Sequence, residues 1–375
     1  MFTVGLVVNP VAGLGGSVGL KGSDGADVQR EALSRGAVPH AGERAAQAVR
    51  TLLSRRPGTR FVTVSGAMGE DSVQGAAELV RLPPPPDGHT TAADTRAAVV
   101  AFAEAGADLV LFAGGDGTAR DVLDAVRGLG GQAPPVLGIP AGVKVYSGCF
   151  ALSPATAGFL AAGFDPESTL EAEVVDLDEE RYRNGLVSPR LYGTVRVPDS
   201  RTGLSGRKAG SSSAIPATAE GIAREVVSRM LPNVRYILGP GATTMAVGRE
   251  LGLVTTLLGV DVIESGRLVA ADVSEGELVD LVRGREAVVV LSVIGGQGFV
   301  LGRGNQQISP RVLDGHELLV LATQQKLAAL KGRPLLADSG DAELDRKLSG
   351  HVQVITGYRE STIYRISAAS EESFG

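Results

Sequence analysis

The sequence has no tryptophan and one cysteine, Cys149, so no disulfide within the chain can hold the fold together. No apolar run reaches the roughly 20 residues that a membrane-spanning helix needs. The apolar stretches are short and end in glycine, proline or charge. Positive charge is not in excess either: the net charge is -6 over 375 residues, which gives no electrostatic reason to expect nucleic acid or an anionic membrane as partner. Histidine is scarce, and His40, His89, His316 and His351 sit in turns or near element ends without metal-ligand spacing. The start, Met1-Phe2-Thr3-Val4-Gly5, lacks the basic and then apolar pattern of a secretory signal. A soluble protein in a reducing cytoplasm is the expectation.

Length and apolar content, 43% of 375 residues, allow two packed cores. Glycine is the abundant residue, at 51 positions, and base composition of the source genome is a sufficient reason for most of them. It does not explain their clustering at 13–25, 114–117, 138–142, 239–241 and 295–304. Glycine after an apolar run permits sharp turns and lets backbone N–H groups approach a ligand.

Strand and helix patterns alternate in the first part of the chain. Val4–Val8 reads as a strand leading through Asn9-Pro10 into a long glycine-rich loop, and 42–56 has helical spacing before a strand at 61–64. Pro83 to Pro86 forms a rigid loop, Asp94-Thr95 opens a helix that stops at Gly106, and Asp108–Ala113 is a buried strand. The Gly114–Thr118 turn follows at once, then a helix over 119–127 and a strand over 136–140. This alternation predicts a parallel sheet. Beyond Ser153-Pro154 the texture changes: 171–200 is polar and strand-like, and 201–213 is a basic Ser/Gly-rich loop. Helices and strands mix again from 215, with Gly239–Thr244 opening a helix and strands at 288–293 and 318–321. The expected fold is α/β, an N-terminal Rossmann-like parallel-sheet domain (1–155) and a second mixed α/β or β-rich domain (156–340). The C-terminal segment (341–375) is expected to return to the first domain or to join the second sheet.

A helix N-terminus carries about four unpaired N–H groups and roughly half a positive charge, so a glycine-rich entrance binds phosphate without needing Lys or Arg. Thr118 reads as the N-cap of the helix, with Asp121 three residues on in a capping-box arrangement. Capping does not explain Asp116.

The string Gly114-Gly115-Asp116-Gly117-Thr118 after a strand is shared by NAD kinases, by the diacylglycerol and sphingosine lipid kinases and, in related form, by phosphofructokinases. Four further strings join it: Asn9-Pro10-Val11-Ala12-Gly13, Gly138 to Lys144, Gly239 to Thr244, and Ile294 through Gln307 with its Gly302-Arg303-Gly304-Asn305 core. With these the chain resembles, over nearly its whole length, the divergent ATP-NAD kinase-like family, some of whose members accompany acetoin catabolism. The resemblance implies ATP (or polyphosphate) as donor, Mg2+, and NAD or a related nucleotide as acceptor, hence a role in NADP biosynthesis. It places the signature turn between donor and acceptor, with Asp116 positioning the acceptor hydroxyl. A carboxylate of pKa about 4 is a poor base for an alcohol, but a loose phosphoryl-transfer transition state needs little deprotonation. Asp116 is therefore expected to be a positioner and late proton acceptor. Ordinary NAD kinases grip the acceptor with an Asn-Glu pair, a dipeptide absent from this chain.

The candidate nucleotide-contacting residues are Asn9, Gly13, Lys21, Asp24, Gly114, Gly115, Gly117, Thr118, Arg120, Gly142, Lys144, Gly241, Thr243, Thr244, Gly296, Arg303 and Asn305. No metal ligands are assigned. Asp338, Asp341 and Asp345 have the makings of a metal cluster, but Ser339-Gly340-Asp341 before 342–348 is better read as a turn and N-cap. Cys149 reads as a small buried residue. Two other functions stay open: a kinase for a sugar, lipid or other small alcohol, and a nucleotide-binding regulator without turnover. Kinases of this resemblance often self-associate, so a homo-oligomer is one expectation.

Overall fold

The computed structural model describes residues 1–20, 25–76, 78–85, 90–177, 189–200, 203–205 and 217–372. In the first half, β1 (Thr3–Val8), β2 (Arg60–Val64), β3 (Glu78–Leu82), β4 (Leu109–Gly114) and β5 (Val136–Pro140) form one sheet in the order β3-β2-β1-β4-β5. Every pairing in it is parallel. Strands β1, β4 and β5 are buried along their whole length, as expected for a parallel sheet covered on both faces.

Helices α2 (Ala41–Arg55) and α5 (Pro154–Ala162) cover one face, where Val49, Leu52 and Ala157 meet Val4, Leu6 and Leu111. Helices α3 (Ala92–Glu104) and α4 (Asp116–Leu129) cover the other, where Phe102 and Val122 meet Val7, Val62 and Phe112. Helix α1 (Ala26–Ser34) falls inside the stretch read as a loop, and its mostly polar, exposed residues explain why it carries little apolar signal. The antiparallel strands β6 (Thr169–Leu177) and β7 (Pro189–Pro198) pack Val174 and Val195 into the α4 side of the core. Packing against the first sheet therefore continues well past Pro154.

The remaining strands are β8 (Arg235–Leu238), β9 (Asp261–Glu264), β10 (Arg267–Ala270), β11 (Ala287–Ser292), β12 (Glu317–Leu321), β13 (Leu335–Ala337), β14 (Gly350–Gly357) and β15 (Glu360–Ala368). They form an eight-stranded sheet in the order β10-β9-β8-β11-β12-β14-β15-β13. Its centre, β8, β11, β12 and β14, is parallel, and antiparallel pairs extend it on both sides. Helices α6 (Ala217–Arg229) and α7 (Ala242–Glu250) cover one face, and α8 (Glu275–Val282), α9 (Pro310–Leu313) and α10 (Gln324–Ala329) the other. Helix α11 (Ala342–Leu348) precedes β14. The second half is thus a mixed α/β layer and not a β-sandwich. The last strands belong to it, and the residue just beyond them, Ala369, packs with Leu152 and accepts a bond from Thr156 Oγ1 at 3.4 Å.

No helix among the described residues is long and apolar enough to cross a membrane. Polar ties join the halves: Gln297 Nε2 donates to the Val145 carbonyl (3.0 Å), Arg303 Nη2 to that of Leu152 (2.9 Å), and Glu275 N to that of Ser17 (2.8 Å).

Helices α2 and α5 meet at Gly158, where an added Cβ would lie 2.2 Å from the Ala48 carbonyl oxygen. Alanine would gain about 1 kcal/mol in helix propensity, but a backbone clash of this kind costs about 1–3 kcal/mol and cannot be relieved by a side-chain rotation. Gly158→Ala should therefore lower the denaturant midpoint without changing the slope.

Candidate active site

The chain order of the first sheet reverses between β1 and β4, and ligands of open α/β sheets bind outside the C-terminal ends of the strands at such a switch point. There the turns after β1, β4 and β5 interlock. Ala141 N and Gly142 N both donate to the Gly114 carbonyl at 2.9 Å. A Cβ on Gly142 would stand 2.5 Å from Gly115 Cα, and one on Gly13, whose φ is +77°, 2.3 Å from the Ala141 carbonyl oxygen. These glycines are needed for turn-on-turn contact.

Helix α4 opens at Asp116, with Gly115 as an N-cap that offers no side-chain hydrogen bond. The expected Thr118 cap is not formed: Thr118 lies inside the first turn, where its hydroxyl accepts from Asn9 Nδ2 at 3.0 Å. The expected partner Asp121 instead accepts from Arg96 Nη1 at 3.3 Å. A glycine before the helix makes an earlier start possible and leaves the first-turn N–H groups uncapped by any side chain, which suits an anion.

Asp116 is 1% exposed. Oδ1 accepts from Tyr146 N (3.0 Å), Ser147 N (2.9 Å) and Ser147 Oγ (2.7 Å), while Oδ2 accepts from Tyr146 N alone (2.8 Å) among the described residues. Burial pushes its carboxyl from 3.8 up to about 6; the Ser147 and Tyr146 bonds oppose the rise, and the neighbouring Asp176 adds to it. Ser147 Oγ also lies 2.9 Å from the Val175 carbonyl, and its single proton serves one of the two acceptors at a time. Oδ2 is the oxygen that keeps a lone pair for a further donor.

A cleft of about 410 Å3 opens above this turn, lined by Asn9, Gly13, Gly115, Asp116, Gly117, Thr118, Arg120, Gly142 and Lys144 from the expected set. Gly114 lies beneath it, its missing Cβ leaving room for Thr118. Arg120 is held by Asp176 at 2.8 Å and lies 4.6 Å over the Tyr192 ring. Sequence reasoning missed Thr91 and Asp176 in the lining; Thr91, with Asp94 three residues on, carried only a capping-box signal.

Other expected residues lie elsewhere. Gly241, Thr243, Thr244 and Gly296 gather at the C-terminal edge of the second sheet, where Lys326 Nζ donates to Thr243 Oγ1 at 3.3 Å and Thr244 Oγ1 to the Gly241 carbonyl at 2.8 Å. Arg303 lines a second cavity, of about 620 Å3, between the halves; Gly13 and Gly142 line both cavities and form their shared wall. Asn305 also lines it, but its side chain is used in its own turn, accepting from Gly302 N (2.9 Å) and donating to Val300 O (2.8 Å). Lys21 and Asp24 lie outside the described residues. Asp341 caps α11, its Oδ1 accepting from Glu343 N and Leu344 N. No group of three or more His, Cys, Asp or Glu among the described residues could hold a metal ion.

A helix without a side-chain cap at the switch point of a parallel sheet, with a buried carboxylate at its first position, is an arrangement suited to phosphate in an α/β protein. The ATP-NAD kinase N-terminal domain matches residues 4–164 and the ATP-NAD kinase C-terminal domain residues 231–366. The chain belongs to the ATP-NAD kinase family. No curated protein matches it. Among solved structures it is similar to a Bacillus anthracis (strain Sterne) protein assigned as a diacylglycerol kinase, at 18% identity and a TM-score of 0.27, with 47% of this chain covered. The chain spans 43% of that protein's length.

Ser147→Ala would remove a buried donor to Asp116 and leave Val175 N, which donates to Ser147 Oγ at 3.1 Å, without an acceptor. An unsatisfied buried group costs about 1–3 kcal/mol, so a loss of that size is expected in chemical denaturation.

Proposed function

We propose that the protein transfers a phosphoryl group from ATP to a hydroxyl of NAD or a related nucleotide, with donor phosphates over the Gly114–Thr118 turn. The observation that carries this reading is Asp116, a buried carboxylate with one oxygen saturated by the 146–147 segment and the other open to one more donor. Oδ2 would receive the acceptor hydroxyl. Phosphoryl transfer needs positioning and charge neutralisation more than a strong base, and the rigid turn supports the former. Magnesium bound with the donor would supply charge neutralisation on the phosphates over this turn.

The absence of an Asn-Glu dipeptide supports a second reading, in which the same chemistry acts on another small alcohol. Incubation with ATP, magnesium and NAD, followed by detection of NADP, separates the two. NADP formation supports the first reading, and ATP consumption only with other alcohols supports the second. No product and no ATP consumption across a panel of nucleotides and small alcohols would defeat both and leave a nucleotide-binding regulator.

Asp116→Asn should lower turnover about a hundredfold or more if the carboxylate orients the hydroxyl. The ionised form is the acceptor, and its pKa is about 6. The rate should therefore rise with pH through about 6 and level off above it, a limb that Asp116→Asn should lack in a pH profile of kcat/KM.

A further inference from the structure

The 302–309 wall of the larger cavity carries an unspent set of polar groups. Arg303 is 6% exposed and sits between Gly302 (φ +87°) and Gly304 (φ +77°). Its Nη2 ties it to Leu152, and its guanidinium lies 4.4 Å over the Phe299 ring. Those contacts account for a structural role. They leave Nε and Nη1, both buried, without a protein partner.

The nearby carboxylate of Asp338 is taken by Arg44, Nη2 to Oδ2 at 2.5 Å. Two more buried atoms without partners, Gln306 Oε1 and Ser309 Oγ, belong to residues lining the same cavity. Ser309 is the N-cap of α9, yet its hydroxyl makes no capping bond. Four of the seven such orphaned atoms among the described residues thus belong to these three cavity-lining residues. Leaving buried polar groups without partners is destabilising, so their concentration calls for a ligand. Burial also pulls the Arg303 guanidinium down to about 10, with the Asp338 and Asp116 carboxylates opposing the fall and Arg44 adding to it.

We propose that this wall binds a small hydroxylated anion, its carboxylate or phosphate seated on Arg303 and Ser309 and its hydroxyl donating to Gln306. The donors select negative charge, and the Gln306 carbonyl selects a hydroxyl. Glu43, Glu275 and Asp341 also line the cavity and disfavour a polyanion. A volume of about 620 Å3 is ample for such a ligand. The site does not rest on the kinase reading, because Asp116 is no part of its lining.

The test uses the full chain with two probes, glycerol 3-phosphate and glycerate, in separate calorimetric titrations. At least one should bind, and Ser309→Ala and Arg303→Lys should each weaken it about tenfold or more. The titrations contain neither ATP nor NAD, which keeps this result separate from any outcome of the NADP assay. A crystal with the bound probe should show its anionic end within hydrogen-bond distance of Arg303. The probe that succeeds identifies the anion as phosphate or carboxylate. Failure of both probes, equal affinity in Ser309→Ala, or an anion only over the Gly114–Thr118 turn with water against Arg303 would overturn the site. If Arg303→Lys does not fold, Ser309→Ala and the crystal decide.

Discussion

The carboxylate of Asp116 ties the turn after β4 to the segment after β5. Its oxygens gather two backbone N–H groups and one hydroxyl from Tyr146 and Ser147, and Ser147 passes the connection on to Val175 in β6. A buried charge is tolerated only when hydrogen-bonded, and every partner here is a donor, so the network favours the ionised form against burial. Burial wins, but only to about 6, which leaves the group ionised at neutral pH. The same bonds that hold 144–147 in place hold the carboxylate still. A positioning group needs that rigidity more than it needs basicity.

Around this point the two cavities divide the polar chemistry. The smaller one has an open helix N-terminus on its floor and an arginine already paired to Asp176. The larger one lies between the halves and carries an arginine with donors to spare. Gly13 and Gly142 are lining residues of both, so any side chain there would alter the two spaces together.

The parallel first sheet was legible because β1, β4 and β5 are buried on both faces and read as unbroken apolar runs. Edge strand β3, with its Glu78 and Arg81 exposed, and polar α1 carry no such signal and were not legible. The start of α4 was misread for a related reason. Thr118 and Asp121 have the spacing of a capping box, but Asn9 and Arg96, distant in sequence, claim them. Local pattern cannot register a partner about a hundred residues away, as Asn9 is from Thr118.

Glycine clusters after apolar runs were enough to mark Gly114–Thr118 as a candidate phosphate turn, because that inference needs only a strand, a permissive backbone and a helix start in succession. Which glycine clusters share a cleft depended on strand order. Gly13, Gly115 and Gly142 meet because β1, β4 and β5 are neighbours, whereas Gly241 and Gly296 serve a different sheet. The pairing of Arg120 and the orphaned donors of Arg303 were decided by tertiary structure alone. Whether a buried cation is compensated depends on groups brought to it through space, and residue type and spacing carry no record of them.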